Sequence, residues 1–211
     1  MNKKFLQALQ KNNKKYKLLI LPLISSAAVL RKEKVLKELL YSAKINKISS
    51  EKIYEALLQT YLFAGFPSAL ISLKIASEIL TFRELEYKSV NSIKKTGVEN
   101  CKKIYGSKFD KLIKNVAEFS PELSEWLITE GYGKVLGRNG LSLKEREMCI
   151  VAILCSMEYE SQLYSHINGA FRLKNSREET RTILISLEHI GGKKISEFGL
   201  GVFNSFLKNK K

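Results

Sequence analysis

Apolar residues recur at steps of three and four along nearly the whole chain, and no stretch sustains the two-residue alternation of a strand. The pattern predicts an all-α protein. Local chemistry marks the helix ends in the second half. Ser142 stands three residues before Glu145, the spacing of a capping box, and opens a helix expected to reach about Met157. Further helices are expected over 159–173, over 177–189 behind the capping pair Ser176 and Glu179, and over 195–207, with Gly191-Gly192 as a stop. In the first half the periodicity predicts helices near 17–30, 32–46, 50–63 and 67–94. Residues 97–118 supply short helices, and Ser120-Pro121 opens another, with serine as cap and proline at the first helical position.

The two series are related. At an offset of 127, residues 18–80 align with 145–207 without a gap. Identities include Glu33/Glu160, Leu36/Leu163, Ala43/Ala170, Lys47/Lys174, Ser49/Ser176, Leu57/Leu184 and Gly65/Gly192. An internal duplication is therefore expected, with copies over 1–95 and 96–211. It changes the meaning of KKYKLLILPLISSAAVL at 14–30. Lysines, then an apolar run, then small residues are how a secretory signal begins. The alignment instead makes this stretch the counterpart of EREMCIVAILCSM, a core helix of the first copy. Pro22 is expected to kink that helix or to mark its true start. The run is broken by Pro22, Ser25 and Ser26, and falls short of the roughly 18–20 apolar residues a membrane span needs, so no membrane partner is expected.

Hydrophobic residues make up 45% of the 211, enough for a substantial core, and the net charge is +15. The lysines are scattered or paired and not interleaved with aromatics for stacking bases, so the charge reads as a solvated surface and no nucleic-acid partner is expected. Cys101, Cys149 and Cys155 are odd in number and show no Cys-x-x-Cys spacing, which argues against a disulfide framework and a zinc site. That usage fits a cytoplasmic location. The Gly-rich 131–140 lacks Gly-Lys-Ser/Thr and follows no strand, so it is not a phosphate loop.

Several motifs of the second half occur together. They are Tyr132-Gly133, Gly140-Leu141-Ser142, Arg146-Glu147 opening a mostly apolar helix, and Leu163-Tyr164-Ser165-His166 followed by Ala170. As a set they resemble the carboxymuconolactone decarboxylase family, which includes the alkylhydroperoxidase D-like proteins. The resemblance is good over about 96–190 and weaker over 18–82. The family's Tyr-x-Gly-x-Pro element is replaced by EHIGGK in the second copy, while the first keeps a near version at Tyr61, Gly65 and Pro67. The resemblance implies a helical bundle of the alkylhydroperoxidase D-like type, a homo-oligomer such as a trimer-like ring or a dimer of duplicated chains, and a site near subunit or repeat interfaces.

By the same resemblance His166 and Glu147 are the proton-transfer pair, and the equivalent positions of the first copy hold Leu39 and Ile20. Tyr159, Gln162 and His166 are spaced i, i+3, i+7 and share one helix face, so Tyr159 and Gln162 are candidate substrate-binding residues. Arg146 is a candidate to hold a substrate carboxylate, or else to pair with Glu145 or Glu147. Trp126 and Tyr132 are expected in the core, and His189 as a histidine stabilised at a helix C-terminus. The implied activity is that of a cofactor-free, metal-free lyase acting on a small carboxylated lactone or related acid. A thiol peroxidase of the same fold is disfavoured, because its two cysteine positions fall on Tyr159 and Gln162. A non-catalytic basic binding module is the third alternative.

Overall fold

In the computed structural model, which describes residues 1–11, 13–82 and 90–209, every regular element is a helix. The first half contains α1 (Lys3–Leu9), α2 (Lys14–Val29), α3 (Glu33–Ile45), α4 (Ser50–Leu58) and α5 (Tyr61–Ser77). Then come α6 (Val90–Tyr105), a 3₁₀ turn, α7 (Phe109–Phe119), α8 (Pro121–Trp126) and a π-helical segment over Leu127–Val135. The rest is α9 (Leu143–Ser156), α10 (Glu160–Arg172), α11 (Arg177–Ser186), the single turn α12 (Glu188–Gly191) and α13 (Lys193–Lys208). Part of the helix expected over 67–94 lies outside the described residues, and α5 itself stops at Ser77. The boundary expected at 95/96 falls inside α6.

Ser120, Ser142 and Ser176, predicted as caps, do that work, and Ser49 does the same at α4. The side chains of Ser49, Ser120, Ser142 and Ser176 accept from backbone amides of the first turn, and at Ser142 and Ser176 the glutamate answers back to complete the box. Pro22 neither starts nor stops α2, which runs through it from Lys14 to Val29. Proline has no N–H to give to the i→i−4 ladder there, and the turns on either side of it are buried in the core.

Backbone geometry recurs at the offset seen in the sequence. Among the described residues, those with positive φ that are not glycine are Arg31, Lys47, Glu158 and Lys174, two pairs separated by 127. At each, the next amide reaches back to the fifth carbonyl before it, as in Lys32 to Ala27 and Tyr159 to Leu154. These are Schellman ends built without the usual glycine. Gly65 (φ 75°, ψ 173°) breaks α5, and Gly192 (φ 95°, ψ 170°) separates α12 from α13.

The buried residues of both halves form one continuous core. Its centre is α2 packed on α9, with Ser26 and Ser156 hydroxyls 2.6 Å apart across the contact. Around that pair, α2 carries α3, α4 and α5, while α9 carries α10, α11 and α13. No described helix is long and apolar enough to cross a membrane. Several large apolar side chains remain outside, among them Phe66, Leu70, Phe119, Leu123 and Trp126. Trp126, at 58% exposure, is thus not a core residue. It sits at the surface end of α8, whose inward side is taken by Ser124.

Candidate functional site

Glu147 lies just past the first turn of α9 and His166 in the middle of α10. The two helices pack side by side, and their facing sides bring His166 Nδ1 to 2.9 Å from Glu147 Oε2. Gly169 makes room for this pair. A Cβ there would stand 2.8 Å from Glu147 Oε2 and 2.7 Å from Ile104 Cγ2. The carboxylate is fully buried and the imidazole keeps 9% of its side-chain exposure. With Glu147 ionised, Nδ1 carries the hydrogen and donates it, so Nε2 of the neutral ring is left as a lone-pair acceptor. No described residue bonds to Nε2, and Glu147 Oε1 is a buried acceptor without a donor.

The walls come from elements remote in sequence. Phe63, on α5 of the first half, presents its edge to the His166 ring at 6.5 Å between centroids, and Tyr105, at the end of α6, does so at 6.3 Å. Tyr105 is held by Tyr132 of the π-helical segment, whose hydroxyl donates to the Tyr105 hydroxyl at 3.2 Å. Gly97 of α6 and Gly133 of the π segment let those backbones approach more closely than any side chain would permit. Asn100 adds a hydrogen bond to the Tyr132 carbonyl.

Burial and the nearby Glu147 charge push the Tyr105 hydroxyl up to about 12, although the hydrogen bond from Tyr132 works the other way. Tyr132 is likewise raised well above the usual phenol value, chiefly by burial. Both phenols therefore stay protonated at neutral pH. Tyr105, already accepting from Tyr132, keeps its own O–H to donate. Burial and Glu147 also raise the Cys101 thiol to about 12, and burial does the same to Cys149 and Cys155.

The other residues expected at the site are elsewhere or otherwise engaged. Arg146 is buried, and its guanidinium is held by Glu55 Oε2 at 2.8 Å, by the carbonyls of Arg138 and Asn139, and by Gln59. It clamps α9 to α4 and to the chain before α9, so it is not open to a substrate carboxylate, and its acid is neither Glu145 nor Glu147. Tyr159 is the cap residue before α10, 46% exposed, and Gln162 is exposed beside Ser161. Neither has a described contact with His166. His189 stacks on Phe5 at 3.8 Å, and burial lowers its pKa despite Glu188 beside it, so desolvation outweighs the expected helix-end stabilisation. No group of three or more His, Cys, Asp or Glu among the described residues could hold a metal ion.

Where the second half has Glu147, His166 and the wall position Ile190, the first has Ile20, Leu39 and Phe63 at the same offset. Ile20 and Leu39 are fully buried. The chemistry-bearing polar pair is thus confined to the second half, and the first contributes an aromatic wall. No family model matches the chain, and no curated protein matches it significantly.

Proposed function

We propose that the protein is an internally duplicated member of the carboxymuconolactone decarboxylase family, in which the second copy carries out proton transfer and the first is structural. The reaction is the loss of carbon dioxide from a small carboxylated lactone or related acid, followed by protonation of the carbanion left behind. The observation that carries this reading is the buried Glu147–His166 pair, whose Nε2 has no bond from any described residue. His166 first takes up a proton at Nε2 from solvent, and the imidazolium then gives that proton to carbon, returning to the neutral ring. Glu147 orients the ring and supports its charged form. Tyr105 stands where a neutral donor can hold a substrate oxygen, in place of the engaged Arg146. The recurrence of helix ends, positive-φ residues and Gly65/Gly192 at one offset supports the duplication. The thiol alternative loses ground, because all three cysteines are buried and far from ionising.

The test is purified protein with a carboxylated lactone in deuterated water, followed by carbon dioxide release and deuterium at the product carbon. His166→Ala is expected to lose about 10²–10⁴-fold in turnover, and Glu147→Gln to lose turnover and alter its pH profile. Equal activity in the parent and His166→Ala removes the role given to His166. The exposed apolar side chains of α5 and α8 are proposed as the self-association face. Phe66→Glu with Trp126→Glu should then lower the mass seen by analytical ultracentrifugation, and an unchanged mass refutes that assignment.

A further inference from the structure

A concave site lies on another face of α9, away from His166. It is a cleft of about 500 Å³ between α2, α4, α9 and α11, which none of the Glu147–His166 cluster lines. A volume in the range of about 300–1,000 Å³ is that of small-molecule sites. Its floor is apolar, with Leu21, Met148 and Ile183 buried or nearly so. Its rim is cationic, with Lys17, Lys47, Lys52 and Lys144.

The charges on this rim are unequally neutralised. Lys144 faces Glu179 at 3.7 Å, and Lys52 is bound by Glu145. At the offset of 127, the counterparts of Lys144 and Glu179 are Lys17 and Lys52. Where the second half has a cation beside an acid, the first has two cations, and Lys52 has turned to Glu145 across the cleft. Among the described residues neither Lys17 nor Lys47 has an acidic partner. Two unmatched ammonium groups over an apolar floor are complementary to a molecule with one anionic end and a hydrocarbon body.

We propose that this cleft binds a medium-chain aliphatic carboxylate, its head taken by Lys17 and Lys47 and its chain laid along Leu21, Met148 and Ile183. Binding needs neither His166 nor Glu147. Isothermal titration of the full chain with decanoate tests it. One saturable site is expected, with acetate silent and 1-decanol at least tenfold weaker. Lys17→Glu with Lys47→Glu, both exposed positions whose folding is checked by circular dichroism, should weaken decanoate at least tenfold. Met148→Trp, which fills the floor, should do the same, while His166→Ala leaves the affinity unchanged. The proposal is overturned by the absence of a saturable site, by decanol binding as well as decanoate, by unchanged affinity in the lysine variant, or by lost affinity in His166→Ala.

Discussion

Arg146 and Glu147 are neighbours on one helix, yet one is fixed in a buried ion pair and the other reaches a histidine. Removing Glu55 leaves Arg146 as an uncompensated charge in the core, whereas removing Arg146 leaves Glu55 its second partner, Arg138, at 2.9 Å. Glu55→Gln alone should cost about 3–5 kcal/mol, Arg146→Met alone less, and Arg146→Met with Glu55→Leu also less than Glu55→Gln, because no fully buried charge is then left unpaired. Urea unfolding of the three variants separates the outcomes. Gly169→Ala forces a methyl against the Glu147 carboxylate and should cost about 1–3 kcal/mol, read the same way. At this scale the sequence is legible where partners share a motif. His166 and Glu147 stand 19 residues apart in one recognisable pattern. Arg146 is misjudged because its acid, Glu55, lies 91 residues earlier, beyond any local spacing rule. Tyr105 and Phe63 carry no signal, since an aromatic in a helical stripe is ordinarily core. Only packing shows that they wall the histidine.

Helix ends hold most of the local information, and they are where predictions about elements are sharpest. Gly192 has nothing within 4 Å of a built Cβ, so Gly192→Ala isolates the cost of φ 95°, ψ 170°, about 1–3 kcal/mol. Gly201 is equally uncrowded but lies inside α13 with no positive φ, so Gly201→Ala should stabilise by about 0.5–1 kcal/mol. Opposite shifts in thermal midpoint are expected from the same substitution at the two sites. The same break occurs at Gly65, which Pro67 follows, and at Gly192, where Lys194 stands in the proline's place. The bend therefore depends on the glycine and not on a proline two residues later. Caps were readable because one side chain satisfies one nearby amide. The π-helical course of Leu127–Val135 was not, since its wide turns are set by the close crossing with α6 rather than by its own residues.

For the whole molecule, the buried thiols and phenols set a limit on alkaline stability. Cys101, Cys149 and Cys155 ionise at about 12 when folded against 9.0 when free, and Tyr105 at about 12 against 10.0. Above pH 9 the unfolded chain releases protons that the folded chain retains, so stability is full below pH 9 and falls as pH rises toward 12. Urea midpoints measured across that window should drop, and replacing the cysteines with alanine should flatten the slope. The all-helical class could be read from periodicity, while the single core could not, because it depends on which helices of the two halves meet. That meeting has a consequence in time. The main partner of α2 is α9, which is made more than a hundred residues later. At about 5–20 residues per second, the side of α2 that faces α9 stays uncovered for roughly 6–25 s of synthesis. During that interval the nascent chain displays lysines followed by an apolar run, the pattern that targeting and chaperone factors survey. Only the arrival of the second half withdraws it.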